Sequence, residues 1–199
     1  MQRRVDLSRG TRGQAAGELI DTGLIETERL ILRLPRPADR AALHAMWADP
    51  RVMADLGPVK DAAASDAALA KHDGYRHEGL GFFTVERKSD RAVLGFCGLK
   101  RGDPPNPIAG EVEAGWMLAH AYWRQGYALE AMISAFAWGW ANFDMARIVA
   151  ITSARNVASQ AMMTRLGMVR LIDGDFEHAS FASDDPLRHI VTYAIDRPE

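Results

Sequence analysis

The stretch Glu113-Ala-Gly-Trp-Met-Leu-Ala-His-Ala-Tyr-Trp-Arg-Gln-Gly-Tyr-Ala-Leu-Glu-Ala131 changes its repeat partway along. Over residues 110–118, Val112, Ala114, Trp116 and Leu118 alternate with Glu111, Glu113, Gly115 and Met117, the two-residue period of a strand. Over 128–142, Leu129, Met132, Ile133, Phe136 and Trp140 recur at helical spacing, a wide apolar stripe for packing on a sheet. Between the two lies a short loop carrying Gly126. The first N–H groups of such a helix have no intrahelical partner, and the helix dipole adds partial positive charge behind them. Glycine lets the backbone come close to a ligand, so residues 124–128 are expected to bind phosphate or pyrophosphate. A glycine taken alone favours the simpler reading, a tight strand-to-helix turn.

Toward the N-terminus, residues 29–34 alternate, with Leu30, Leu32 and Leu34 on one face of a predicted strand. Pro35 and Pro37 end it, and Pro37 suits the first turn of a helix, where a missing N–H costs little. Leu43, Met46 and Trp47 then recur at helical spacing until Pro50. A second helix is predicted over 65–77. The runs 82–86 and 92–99, joined by the polar turn Arg87-Lys88-Ser89-Asp90, read as a hairpin. Residues 103–107 carry three prolines and must be a loop. Toward the C-terminus, 147–152 has strand length. A helix starts near Asn156 and ends at Leu166, with Gly167 in the left-handed position past its end and Met168 the apolar residue after it. Residues 169–172 and 190–195 supply two last strands. Strands interleaved with helices, plus an antiparallel hairpin, imply an α/β or α+β sandwich around a mixed sheet.

The bulk numbers bound the function. At 199 residues, 48% of them hydrophobic, the chain can bury one sizeable core, and a single domain over 25–199 is expected. Residues 1–24, rich in glycine and charge, read as a flexible N-terminal extension. A formal net charge of -2 offers no broad basic field for nucleic acid. No run approaches the ~20 apolar residues of a membrane span, and no basic amphipathic helix stands out to lie on a bilayer. The one cysteine, Cys97, cannot form an internal disulfide, which fits a reducing, cytoplasmic setting; in the apolar run 93–99 it reads as a small core residue. His178 and His189 lack metal-ligand spacing with each other or with the cysteine, so no metal is expected. His120, in the loop before the glycine turn, is read as facing solvent, and Glu130, one turn into the helix, as a dipole-favoured or salt-bridged carboxylate.

Four blocks, in order, carry a family resemblance: Thr27-Glu-Arg-Leu-Ile-Leu-Arg33; Glu113-Ala-Gly-Trp116 with Tyr122-Trp-Arg-Gln-Gly-Tyr-Ala-Leu-Glu-Ala131; Asn156-Val-Ala-Ser159 leading to Arg165-Leu-Gly-Met168; and Leu187-Arg-His-Ile-Val-Thr-Tyr193. Together they resemble the GNAT acetyltransferases, in particular the branch that includes the ribosomal-protein alanine acetyltransferases. Three positions depart from the family pattern. Trp123 stands where the general phosphate motif has Gln or Arg, Arg124 where it often has Gly, and Met168 where it has an aromatic residue. The resemblance implies a GNAT-like, mostly antiparallel mixed sheet with helices on both faces. It also implies transfer of the acetyl group of acetyl-CoA to a primary amine by direct attack on the thioester.

Such a transfer needs an unprotonated amine, a polarised carbonyl and a proton source for the departing thiolate. A free α-amine has a reference pKa near 8 and a lysine amine one near 10.4, and a carboxylate can take the proton. By resemblance Glu113 lies on the strand where the family often places its base; Glu111, on the same face by alternation, is its rival. A backbone N–H at Met117 or Leu118 is the implied donor to the carbonyl. Arg124, Gln125, Gly126, Tyr127 and Ala128 are the implied pyrophosphate cradle, with Arg124 either bonding phosphate or pointing into solvent. Asn156 reads from its position as a helix N-cap. By resemblance it also contacts the pantetheine arm, and Ser159 supplies a proton or hydrogen bond near the thiolate. The expected acceptor is a small-molecule amine or a protein N-terminus, and the expected assembly a monomer or homodimer. A non-catalytic acyl-CoA-binding sensor is the competing reading; the joint presence of Glu113, Asn156 and Ser159 argues for turnover.

Overall fold

The computed structural model describes residues 24–199, so the expected N-terminal extension lies, except for Leu24, outside the described residues. Among the described residues eight strands form one sheet in the order β1-β2-β3-β4-β5-β6-β8-β7. They are β1 (Ile25–Glu26), β2 (Leu30–Arg33), β3 (Gly81–Arg87), β4 (Val93–Arg101), β5 (Val112–Leu118), β6 (Arg147–Ser153), β7 (Val169–Glu177) and β8 (His189–Asp196). Every neighbouring pair is antiparallel except β5 and β6. The helices are α1 (Arg40–Ala48), the single turn α2 (Pro50–Met53), α3 (Ala62–Gly74), α4 (Tyr127–Asn142) and α5 (Val157–Arg165).

Both faces of the sheet are covered, as expected. On one, Leu43, Met46 and Trp47 of α1 and Val52 and Met53 of α2 pack with Phe82 and Phe96. On the other, α4 and α5 cover Leu30, Leu32, Phe83, Leu99 and Ile148. The alternation in β5 holds: Val112, Ala114 and Leu118 join the α4 face, while Met117 packs against the α1 side.

Two apolar expectations are corrected. Leu34 lies beyond the end of β2 and is 43% exposed. The buried stripe of α4 is Ala131, Met132, Ala135, Phe136 and Gly139, and Ile133 is 54% exposed. Small residues at i, i+4 and i+8 bring α4 close to the sheet. A Cβ at Gly139 would sit 2.5 Å from Leu99 Cδ1, so the face is chosen by close approach rather than by side-chain size.

At the end of β2, Arg33 donates to Asp39 at 2.6 and 2.7 Å and to Glu86 at 2.7 Å, all three residues being buried. Asp39 also accepts from the Arg36 backbone at 2.8 Å. Burial alone would push the Asp39 carboxyl up, but the bonds from Arg33 and from the Arg36 backbone hold it below its ordinary value. This network fixes the Pro35–Asp39 turn that sends α1 across the sheet.

Candidate active site

The parallel pair defines the site. β5 and β6 are in register only at Val112–Ile148 and Glu113–Val149. Beyond those residues β5 stays paired with β4 as far as Leu118, and β6 with β8 as far as Ser153. The two strands therefore part from a vertex at Glu113. Their carboxyl ends point the same way, and each feeds a helix, α4 after β5 and α5 after β6. In open sheets ligands bind in such a crevice, outside the carboxyl ends of adjacent parallel strands. From Glu113 to Leu118 the crevice runs roughly 17 Å at the usual rise of a strand.

Backbone direction along β5 follows from one bond. The Ala119 N–H donates to the Leu94 carbonyl on β4 at 2.8 Å. Because backbone groups alternate along a strand, the amides of Met117 and Gly115 also face β4, and those of Leu118 and Trp116 face the crevice. Of the two backbone amides anticipated, that of Leu118 faces the crevice and that of Met117 faces β4, and the Met117 sulfur is held by Trp47 Nε1–H at 3.3 Å on the α1 side. The Leu118 carbonyl is taken by Trp123 Nε1–H at 2.7 Å, which gives the departure at Trp123 a physical role in shaping the loop.

At the head of the crevice, Gly126 is the N-cap of α4 at φ 81°, the left-handed conformation glycine adopts most readily. Arg124 is left-handed too, at φ 58°, where the family often has glycine, and an L-residue there costs roughly 1–2 kcal/mol. The Glu130 N–H is bonded to the Gly126 carbonyl at 3.0 Å, and Gly126 has no side chain to cap the preceding amides of Tyr127, Ala128 and Leu129. Arg124, Gln125 and Gly126 are exposed. The Gln125 side chain donates to the Ala121 carbonyl at 2.9 Å. The Tyr127 side chain is buried and accepts from Arg87 at 3.3 Å, so Tyr127 offers the crevice only its backbone.

A cation missed by the sequence reading stands beside this turn. Arg29 donates its backbone N–H and Nε to Glu130 at 2.8 and 2.6 Å and its Nη1 to the Gln125 carbonyl at 3.1 Å. Its guanidinium lies 4.5 Å over the Tyr127 ring. Thr27 adds a 2.5 Å bond to Glu130. Burial would raise the Glu130 carboxyl, but these bonds win and hold it below its ordinary value. The salt-bridged reading of Glu130 therefore stands. Its partner lay in the opening block Thr27–Arg33, too distant in sequence for any local pattern to reveal.

On the other flank, Asn156 is buried and its Oδ1 accepts from the Ser159 N–H at 3.0 Å, so it does cap α5. Ser159 is half-buried one turn into that helix. At the vertex, Glu113 Oε2 accepts from Lys100 Nζ at 2.5 Å, with both side chains nearly enclosed. Burial pushes the Glu113 carboxyl up from its ordinary value, and Lys100 opposes the rise. The rival Glu111 lies outside β5 at the paired end of the two strands, bound to Arg147 at 2.5 Å. Cys97 is in the core, where burial pushes its thiol up to about 12. His120 sits in a single helical turn against Trp123, their ring centroids 4.9 Å apart. Among the described residues no cluster of His, Cys, Asp and Glu could hold a metal, and no helix is long and apolar enough to cross a membrane.

Comparison with known proteins gives the same outline. Residues 29–169 match the family described as the acetyltransferase (GNAT) domain. The uncharacterized N-acetyltransferase p20 of Bacillus licheniformis is 28% identical over 143 residues, 70% of this chain and 79% of that protein. A GNAT-family acetyltransferase from Bacillus anthracis superposes with a TM-score of 0.72 at 23% identity, covering 89% of this chain and all of that one. RimL, a ribosomal L7/L12 alpha-N-protein acetyltransferase solved with coenzyme A, superposes at 0.71 with 16% identity, covering 87% and 98% of the two chains.

Proposed function

Because the chain belongs to the GNAT acetyltransferases, we propose that it transfers acetyl from acetyl-CoA to an α-amine, that of a short N-terminal peptide segment or of a small molecule. The carrying observation is the parting of β5 and β6 at Glu113, between the N-termini of α4 and α5. The residues fit the co-substrate. The uncapped amides of Tyr127, Ala128 and Leu129 end an exposed turn beside the Arg29 guanidinium, a suitable place for pyrophosphate. Arg124 and Gln125 belong to the same turn. The crevice lined by the Trp116 and Leu118 amides, with Asn156 across it, would take the pantetheine arm. When bound, acetyl-CoA supplies an acetyl group already activated as a thioester.

The chain's own groups then divide the work. Glu113, at the vertex, accepts the amine proton. The Leu118 N–H donates a hydrogen bond to the carbonyl as negative charge grows on it. The Ser159 hydroxyl, on the first turn of α5, donates a hydrogen bond or proton to the departing thiolate. The α-amine preference rests on its pKa near 8, which leaves far more free base at neutral pH than a lysine amine near 10.4. The α-N-protein activity of RimL points the same way. The test measures thiol release from acetyl-CoA with peptides bearing free N-termini, peptides whose only amines are lysines, and polyamines. Fastest turnover on free N-termini supports the reading, and fastest turnover on lysine side chains overturns the α-amine preference. Acetyl-CoA binding without turnover on any amine overturns the catalytic reading.

A further inference from the structure

Lys100 has no place in the chemistry above, yet it is one of the few buried lysines a fold keeps, at 9% exposure. It sits directly across from Glu113 in the β4–β5 ladder. Its ammonium donates to Glu113 Oε2 at 2.5 Å, to Asp103 Oδ2 at 3.0 Å and to the Arg101 carbonyl at 3.0 Å. An ammonium has three protons, so all three are engaged, and its position is fixed on three sides. Asp103 is itself tied to α3 and the turn after it, accepting from Lys71 at 2.8 Å and from the Tyr75 hydroxyl at 2.6 Å. One cation is thus shared by two carboxylates next to the parting of the strands.

We propose that Lys100 is a positioning residue that keeps Glu113 in its carboxylate form and thereby sets the lower pH limit of the reaction. This rests on the reading of Glu113 as the base. A carboxylate enclosed as Glu113 is would take up a proton if no cation faced it. The bond from Lys100 uses Oε2, which leaves Oε1 to receive the amine proton. The charged and titratable groups facing this pair are Asp103 on the loop after β4, and Lys71, His72, Tyr75 and Glu78 on α3 and the following turn. From the end of β7, His178 faces Asp103. Asp103 acts against Lys100: as a like charge it pushes the Glu113 carboxyl up. It is ionised first, because bonds from Lys71, Tyr75 and Lys100 outweigh its burial and hold it well below the usual carboxylate range. Lys100 and Asp103 should therefore move Glu113 in opposite directions, which a purely structural role for either would not do.

The experiment follows the carboxyl carbon resonance of Glu113 through a pH titration, alongside kcat/KM against pH with the fastest amine of the panel. Four proteins are compared: wild type, Lys100→Met, Lys100→Arg and Asp103→Asn. Lys100→Met should move both the Glu113 midpoint and the acid limb of the rate profile up by about one pH unit or more. Lys100→Arg should restore both, and Asp103→Asn should move both down. If Lys100→Met does not fold, the downward shift in Asp103→Asn and the rescue by Lys100→Arg carry the test. A Glu113 midpoint that stays put in Lys100→Met and Asp103→Asn overturns the assignment, as does a rate loss equal at every pH with an unmoved limb. A Glu113→Gln enzyme with full turnover overturns the base reading instead, and the resonance titration tells the two failures apart.

Discussion

Replacing Gly126 by glutamate tests the anion site at its narrowest point. At φ 81° any L-residue pays roughly 1–2 kcal/mol of backbone strain. Sterically the change is mild, since a Cβ would meet only Arg29 Nη2, the far end of a flexible side chain, at 3.3 Å. The fold should survive, with a melting temperature lower by about 2–8 °C. Binding should weaken sharply. A carboxylate roughly 5 Å from the pyrophosphate, at an effective dielectric of about 20, repels it by about 3 kcal/mol, which is roughly 10²-fold in affinity. Pairing of the new carboxylate with Arg29 would also withdraw the nearest cation from the ligand. Gly126→Ala carries the same strain without the charge, so it should lose the same stability and most of the affinity should remain. Calorimetric titration with acetyl-CoA, alongside thermal melts, reads both effects. Wild-type affinity in a folded Gly126→Glu protein would refute the placement of pyrophosphate at residues 124–128. Equal losses in the alanine and glutamate variants would shift the cause from charge to backbone.

Glu113→Gln should lower turnover by roughly 10²-fold with acetyl-CoA affinity nearly unchanged, whereas Glu111→Gln, which breaks only the pair with Arg147, should keep most of the rate; steady-state kinetics on the two variants decides. Asn156→Ala should destabilise the protein by about 1 kcal/mol through loss of the α5 cap. Asn156→Asp should keep the cap in a thermal melt, so any loss of acetyl-CoA affinity in that variant reports a direct contact with the ligand. His72 is buried among Phe82, Phe96 and Tyr75, and burial followed by the cations Lys100, Lys71 and Arg76 lowers its pKa to about 3. The unfolded chain, with His72 near 6.5, binds the extra proton between those values. Its contribution is therefore whole above pH 6.5 and falls by about 1.4 kcal/mol per unit as the pH drops toward 3. His72→Phe should flatten that part of the stability profile, and a denaturant series at pH 7, 6 and 5 with unchanged slope would contradict the account.

What could be read from the chain alone was whatever a few neighbouring residues decide among themselves. The two-residue alternation of β5 holds in the fold because side-chain direction along a strand is a local property. The tight strand-to-helix turn at Gly126, the left-handed Gly167 past α5 and the cap at Asn156 were legible because backbone conformation and a three-residue hydrogen bond do not need the rest of the protein. The buried face of α4 was misread because Ala131, Ala135 and Gly139 carry almost no hydrophobic signal; what selects them is how closely Leu99 approaches, a fact of packing. The partners in the ion pairs could not be read. Arg29 with Glu130, Arg33 with Asp39 and Glu86, and Lys100 with Glu113 join residues on different elements, and nothing in either partner's neighbourhood marks the other. The choice of Leu118 over Met117 as the amide facing the crevice waited on the β4 register, because an amide's direction depends on which strand lies on which side. The sequence thus determined most of the strands and helices and where the glycine turn and the α5 cap fall, while the parting of β5 from β6 and the cation that faces Glu113 were decided only when distant segments were packed side by side.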